Sequence, residues 1–91
     1  MMPAVILQPQ DKLYGNTLIL HRAGSGVLNR YARYKGLIVP VYAKINNSRH
    51  RSLVGEGYVE KWEVLSERQI RIYFHMTRII ATPVAKQKLG W

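Results

Sequence analysis

The stretch RYARYKGLIVPVYAKINNSRHR, Arg30 to Arg51, decides how this chain is read. It opens with Arg30, Arg33 and Lys35 interleaved with Tyr31 and Tyr34, passes through an apolar run from Leu37 to Ile45, and closes on Arg49, His50 and Arg51. No acid interrupts it. Period-two alternation sets Leu37, Val39, Val41, Ala43 and Ile45 on one side and Ile38, Pro40, Tyr42 and Lys44 on the other, as in a strand. Pro40 has no N–H to give to a ladder, so it predicts an edge position or a bulge. A strand with a cationic cluster at each end combines attraction for phosphate with flat tyrosine rings on which bases stack.

The flanking chain is also read mostly as strand. Ala4 to Leu7, bounded by Pro3 and Pro9, suits an edge strand, and Gln8 to Gly15 reads as a polar connection ending in a Gly15-Asn16 turn. Asn16 to Arg22 predicts a strand with Leu18 and Leu20 inward and Thr17, Ile19 and His21 outward. Ala23 to Gly26 is a loop. Val27, Tyr31 and Tyr34 share a helical stripe, which favours a short helical turn over an irregular basic loop. Asn46 to Ser52 reads as a hairpin tip.

Leu53 to Leu65 fits a helix face of Tyr58, Trp62 and Leu65 or a strand face of Tyr58, Trp62 and Val64; Gly55 and Gly57 favour a bent strand, with a turn at Ser66 to Arg68. Gln69 to Thr77 alternates most cleanly, with Ile70, Ile72, Phe74 and Met76 inward and Gln69, Arg71, Tyr73, His75 and Thr77 outward. Ile79 to Thr82 extends it past a bulge at Arg78, and Pro83 ends the sheet. Residues 1–82 are thus expected to form a single mainly β domain, followed by a short basic tail at 83–91. The expected fold is a small rolled antiparallel sheet or an SH3-like or OB-like barrel of about five strands with one short helix. The alternative is a flat antiparallel sheet with a helix across it.

Charge bounds the function. The 91 residues contain 14 Lys and Arg against 5 Asp and Glu, a net charge of +9, which points to a polyanionic partner. From Lys12 through Gly55 there are eight basic side chains and no acid, whereas four of the five acids lie between Glu56 and Glu67. The absence of Cys removes disulfides, thiolate catalysis and the usual structural zinc sites. AGSG and GEG are too short for a phosphate loop, and no HxxxH or paired acidic motif occurs, so no metal or cofactor is expected. The apolar runs fall far short of a membrane span. A cytoplasmic protein is expected, with nucleoid or virion left open.

Two surfaces emerge as candidates. One is an outward face of Tyr42 and Lys44 with Arg71, Tyr73 and His75, if their strands are neighbours. The other gathers Arg30, Tyr31, Arg33, Tyr34 and Lys35 with Arg49, His50 and Arg51. Tyrosine is also simply a good strand former, and a charge run is usually a solvated face; the segregation of charge favours function for the second group. The expected partner is RNA or single-stranded DNA rather than duplex, since no amphipathic recognition helix is evident. A membrane partner is not expected, nor is enzymatic activity. Two alternatives stand beside this reading: a viral or plasmid assembly protein whose strand edges make a homo-oligomer, and a toxin-like ribonuclease using His21, His50 or His75.

Overall fold

The computed structural model describes residues 3–44 and 49–80. Six strands and one helix follow in the order β1 (Val5–Ile6), β2 (Lys12–Tyr14), β3 (Thr17–Ala23), α1 (Val27–Ala32), β4 (Val39–Lys44), β5 (Arg51–Ser66) and β6 (Gln69–Ile79). They form one sheet with strand order β1-β4-β5-β6-β3-β2. The alternating patterns place its core. In the β3–β6 pair Leu18 faces Phe74 and Leu20 faces Ile72, all fully buried, while His21 opposite Arg71 and Ile19 opposite Tyr73 point away. Val5, Val39, Val41, Ala43, Val54 and Val59 extend the same inner face across the other strands. Helix α1 completes the core with Val27 and Tyr31.

Two glycines let β5 lie close to β6. A Cβ at Gly57 would run into the His75 carbonyl oxygen and the Phe74 ring, and one at Gly55 into the Arg78 carbonyl oxygen and the Met76 methyl. Pairing between β5 and β6 shifts register at Glu56/Gly57, Val59/Lys61 and Val64/Ser66. Bulges of this kind bend and twist strands, and the strand expected over Leu53 to Leu65 lies within β5. The shift at Glu60 also reorders its faces. Tyr58 stands opposite His75 on the outside, whereas Trp62 and Val64 stand opposite the buried Ile72 and Ile70. The expected common face of Tyr58, Trp62 and Val64 is therefore split by one extra residue.

The sheet is not closed into a barrel, which corrects the SH3-like or OB-like expectation. Among the described residues it has six strands, in keeping with the expected number of about five, and it is mixed rather than antiparallel, because β1 runs parallel to β4. Edge strands β1 and β2 are not paired with each other. Arg22 bridges the gap instead. Its Nη2 donates to the Ile6 carbonyl of β1 (3.0 Å) and to Asp11 Oδ2 (2.9 Å), its Nη1 to Asp11 Oδ1 (2.6 Å) and to the His21 carbonyl (2.9 Å), and its Nε to the Tyr31 hydroxyl of α1 (3.1 Å). Asp11, fully buried, accepts in addition from the backbone N–H groups of Gln8 (2.8 Å) and His21 (3.3 Å). The rigid five-donor fork of arginine can satisfy so many acceptors at once, which an ammonium cannot.

Smaller departures have local causes. Lys12–Tyr14, read as part of a connection, is a strand because Gly15 (φ 61°) and Asn16 make a two-residue turn that pairs Tyr14 with Thr17. Strand β4 begins only at Val39, leaving Leu37 and Ile38 exposed, and β1 pairs with it from Val41 onward, just past Pro40. A register shift follows directly at Val41/Tyr42. Near Arg78 the unpaired residue is Thr77, since Arg78 and Met76 are the ones opposite Glu56 and Gly57. The expectations for Ile45, for Asn46 to Ser48, for the extension to Thr82, for Pro83 and for the tail at 83–91 lie outside the described residues.

Candidate nucleic-acid interface

Helix α1 is short, and its sequence explains its limits. Gly26 precedes it with φ 84°, a conformation favourable to glycine, and Gly36 with φ 83° ends the turn that follows it. Arg30 lies in the last turn, where a cation complements the helix dipole. With Val27 and Tyr31 facing the core, Arg30 and Arg33 project to solvent and Tyr34 is half-buried. Tyr34 packs edge-to-face on Tyr31, with ring centroids 5.3 Å apart.

A groove runs beside this helix. Arg30 and Tyr34 from α1 and its following turn, Arg51 from the start of β5, and Gln8 and Gln10 from the β1–β2 connection line it, with Arg22 and Tyr31 at its base. A second depression on the far side of Arg30 and Tyr34 is lined by Arg33 and Leu37. Among the described residues neither is lined by an acid. Lys44 and Arg51 stand directly opposite each other in the β4–β5 ladder, both exposed. Like charges so placed are unfavourable until an anion lies between them.

The outward face of the sheet is built differently. Arg71, Tyr73 and His75 do share it, as the alternation predicts, but Tyr42 and Lys44 are separated from them by β5. Across from them β5 contributes Glu63, Lys61 and Tyr58. The Tyr73 hydroxyl donates to Glu63, Arg71 pairs with the same carboxylate at 3.4 Å, and Lys61 Nζ lies 4.8 Å from the Tyr73 ring centroid. The Tyr58 and His75 rings pack at a tilt of 38°, with centroids 5.2 Å apart. The Tyr73 ring thus already has a cation on its face.

The titrating groups reflect these surroundings. Burial acts to lower the Arg22 pKa, but the hydrogen bond to Asp11 and its charge outweigh it and leave the value raised, so the guanidinium stays charged. Burial raises the Tyr31 pKa against the opposing effect of Arg22, and the phenol remains neutral. The Glu63 pKa is lowered, first by the Tyr73 hydroxyl and then by Arg71.

Several expected site residues therefore move. Tyr31 is 4% exposed, so its ring belongs to the core and has no face for a base. Arg22, counted with the unopposed cations, is neutralised by Asp11. Lys35 is exposed with its Nζ 5.7 Å from the Trp62 ring centroid, apart from the groove-lining set. Arg49 and His50 are exposed next to Arg51, and Tyr42 is half-buried. Gln8 and Gln10 were missed as groove-lining residues, because a polar connection carries no signal of where its neighbours in space lie. Among the described residues no cluster of three His, Asp or Glu could hold a metal, and no helix is long and apolar enough to cross a membrane.

Fold and groove together define a small, mainly β domain with one short helix. No protein-family model matches the chain, and no curated protein or solved structure is significantly similar to it.

Proposed function

We propose that this protein binds RNA or single-stranded DNA without chemical conversion of it, in a cytoplasmic setting, and that the groove beside α1 is the contact surface. The observation that carries this reading is the convergence of Arg30, Tyr34 and Arg51 on one groove that, among the described residues, no acid lines. Arg30 and Arg51 would neutralise backbone phosphates, and the half-buried Tyr34 would offer a ring edge or face to a base. Arg33, Lys44 and Arg49 would extend the positive field beyond the groove. Weak sequence selectivity follows, because phosphate contacts position a strand without reading it.

Fluorescence anisotropy with a labelled mixed-sequence oligonucleotide, single-stranded or duplex, tests this. The logarithm of affinity for single strands should fall linearly with the logarithm of salt concentration, with a slope of about −0.7 per phosphate contacted. A flat plot, or tighter binding of duplex at every salt concentration, would overturn the proposal.

A further inference from the structure

Strand β5 spans Arg51–Ser66, and β4 covers only its first part, since the β4–β5 register ends at Val39 and Gly57. Beyond Gly57, β5 pairs with β6 on one side, and among the described residues no strand pairs with it on the other. Such an edge offers a row of backbone donors and acceptors to another chain. It is also apolar: Val64 is 59% and Leu65 47% exposed, and Trp62 is half-buried beside them.

Charge selects the occupant. Residues 56–67 hold four of the five acids and contain Lys61 as their only basic residue, so two copies of a chain with net charge +9 meet here along its one acidic segment; of the cations beside it, Arg71 is paired to Glu63 and Lys35 lies against the Trp62 ring. The order Lys61-Trp62-Glu63 is moreover its own complement. Pairing two such segments antiparallel about a two-fold axis at Trp62 sets each Lys61 directly opposite Glu63 of the second copy. Both side chains lie on the outer face, opposite Tyr73 and Arg71. Opposite charges directly across an antiparallel pair stabilise it, and like charges destabilise it. The register shifts at Glu60 and Leu65 frame Lys61 to Val64 as the regular segment, which keeps the pairing short and its register defined.

We propose that the free edge of β5 from Lys61 to Val64 is a homodimer interface formed by antiparallel pairing about Trp62. The contact is isologous and closes at two chains. It is independent of the binding reading, because Arg30, Tyr34 and Arg51 lie outside the segment.

Sedimentation velocity of the nuclease-treated full chain, over a range of concentrations, tests the proposal. The wild type should show a reversible two-chain species. Lys61→Glu alone and Glu63→Lys alone should each sediment as one chain, because each places like charges opposite one another. An equimolar mixture of these two variants should restore the two-chain species, since every altered position then faces an opposite charge; a role of these residues within one chain would not respond to mixing. Val64→Glu, at an exposed site that leaves the Lys61–Glu63 pair intact, should also dissociate the dimer, because pairing about Trp62 sets position 64 opposite Glu60 of the second copy. A wild type that stays a single chain at every concentration, a mixture that remains monomeric, a Val64→Glu variant that still dimerises, or growth beyond two chains would each overturn the proposal.

Discussion

The groove beside α1 and the outer face of the β3–β6–β5 strands both combine cations with tyrosines, yet they use them differently. On the outer face Arg71 is tied to Glu63, Lys61 lies over Tyr73, and the Tyr73 hydroxyl donates to that same carboxylate. In the groove the one carboxylate nearby, Asp11, is buried and held by Arg22, so Arg30 and Arg51 face solvent without an acidic partner among the described residues. Counting cations makes the two surfaces look alike. What separates them is which positive charges are already neutralised.

The largest expected effect breaks the groove from below. Asp11→Ala leaves Arg22 buried and unpaired between β1, β3 and α1, and loss of one partner of a buried pair costs about 3 to 5 kcal/mol. Chemical denaturation should show that loss. Adding Arg22→Leu to Asp11→Ala should recover part of it, because the uncompensated charge goes with the side chain. A loss of less than about 1 kcal/mol for Asp11→Ala would mean that the two sheet edges do not depend on this bridge.

A smaller effect, on binding alone, separates the two surfaces. Arg30→Ser with Arg51→Ser should weaken single-strand binding and make the salt slope shallower by about 1.4, that is about 0.7 for each lost phosphate contact. Stability should change by no more than about 0.5 kcal/mol, since both side chains are exposed. Arg71→Ser should leave the slope nearly unchanged, because Glu63 already neutralises that cation. The reverse ranking would move the binding surface to the outer face.

The smallest effect concerns pH. The folded-state pKa of Glu63 is depressed, so its contacts with Tyr73 and Arg71 stabilise the fold at pH values above the ordinary carboxylate value of 4.5 and cease to do so as pH falls through the folded value. Because Glu63 is exposed, the change should be slight. Comparing the acid limb of thermal stability for the wild type with that for Glu63→Gln isolates it. The two limbs should differ in slope only below the ordinary carboxylate range, and identical limbs would mean that the outer-face cluster contributes nothing.

Much of this architecture was legible residue by residue. The alternation in Gln69 to Thr77 placed Phe74 inside and Tyr73 outside, the Val27, Tyr31 and Tyr34 stripe announced α1, and Gly55 with Gly57 favoured strand over helix for β5. The Lys12–Tyr14 strand was missed because three residues are too few to display a period. Tyr31 illustrates the harder limit. The stripe that correctly made it helical also meant that its ring would be buried, and a basic neighbourhood in sequence masked that consequence.

Local pattern by itself determined most of the residues that enter the longer strands and, in β3 and β6, which side is apolar, because both follow from the two-residue repeat of an extended chain. It also determined the net charge and its segregation along the chain. Only the tertiary structure decided that β5 lies between β4 and β6, so that the supposed face of Tyr42, Lys44 and Tyr73 is divided, and that Arg22 meets Asp11 while Arg30 meets Arg51 across a groove. Strand order and the path of the chain between strands bring together residues that sequence spacing keeps apart. Whether a charge is neutralised is decided by that proximity, since electrostatic interaction falls with distance in space and is indifferent to separation along the chain.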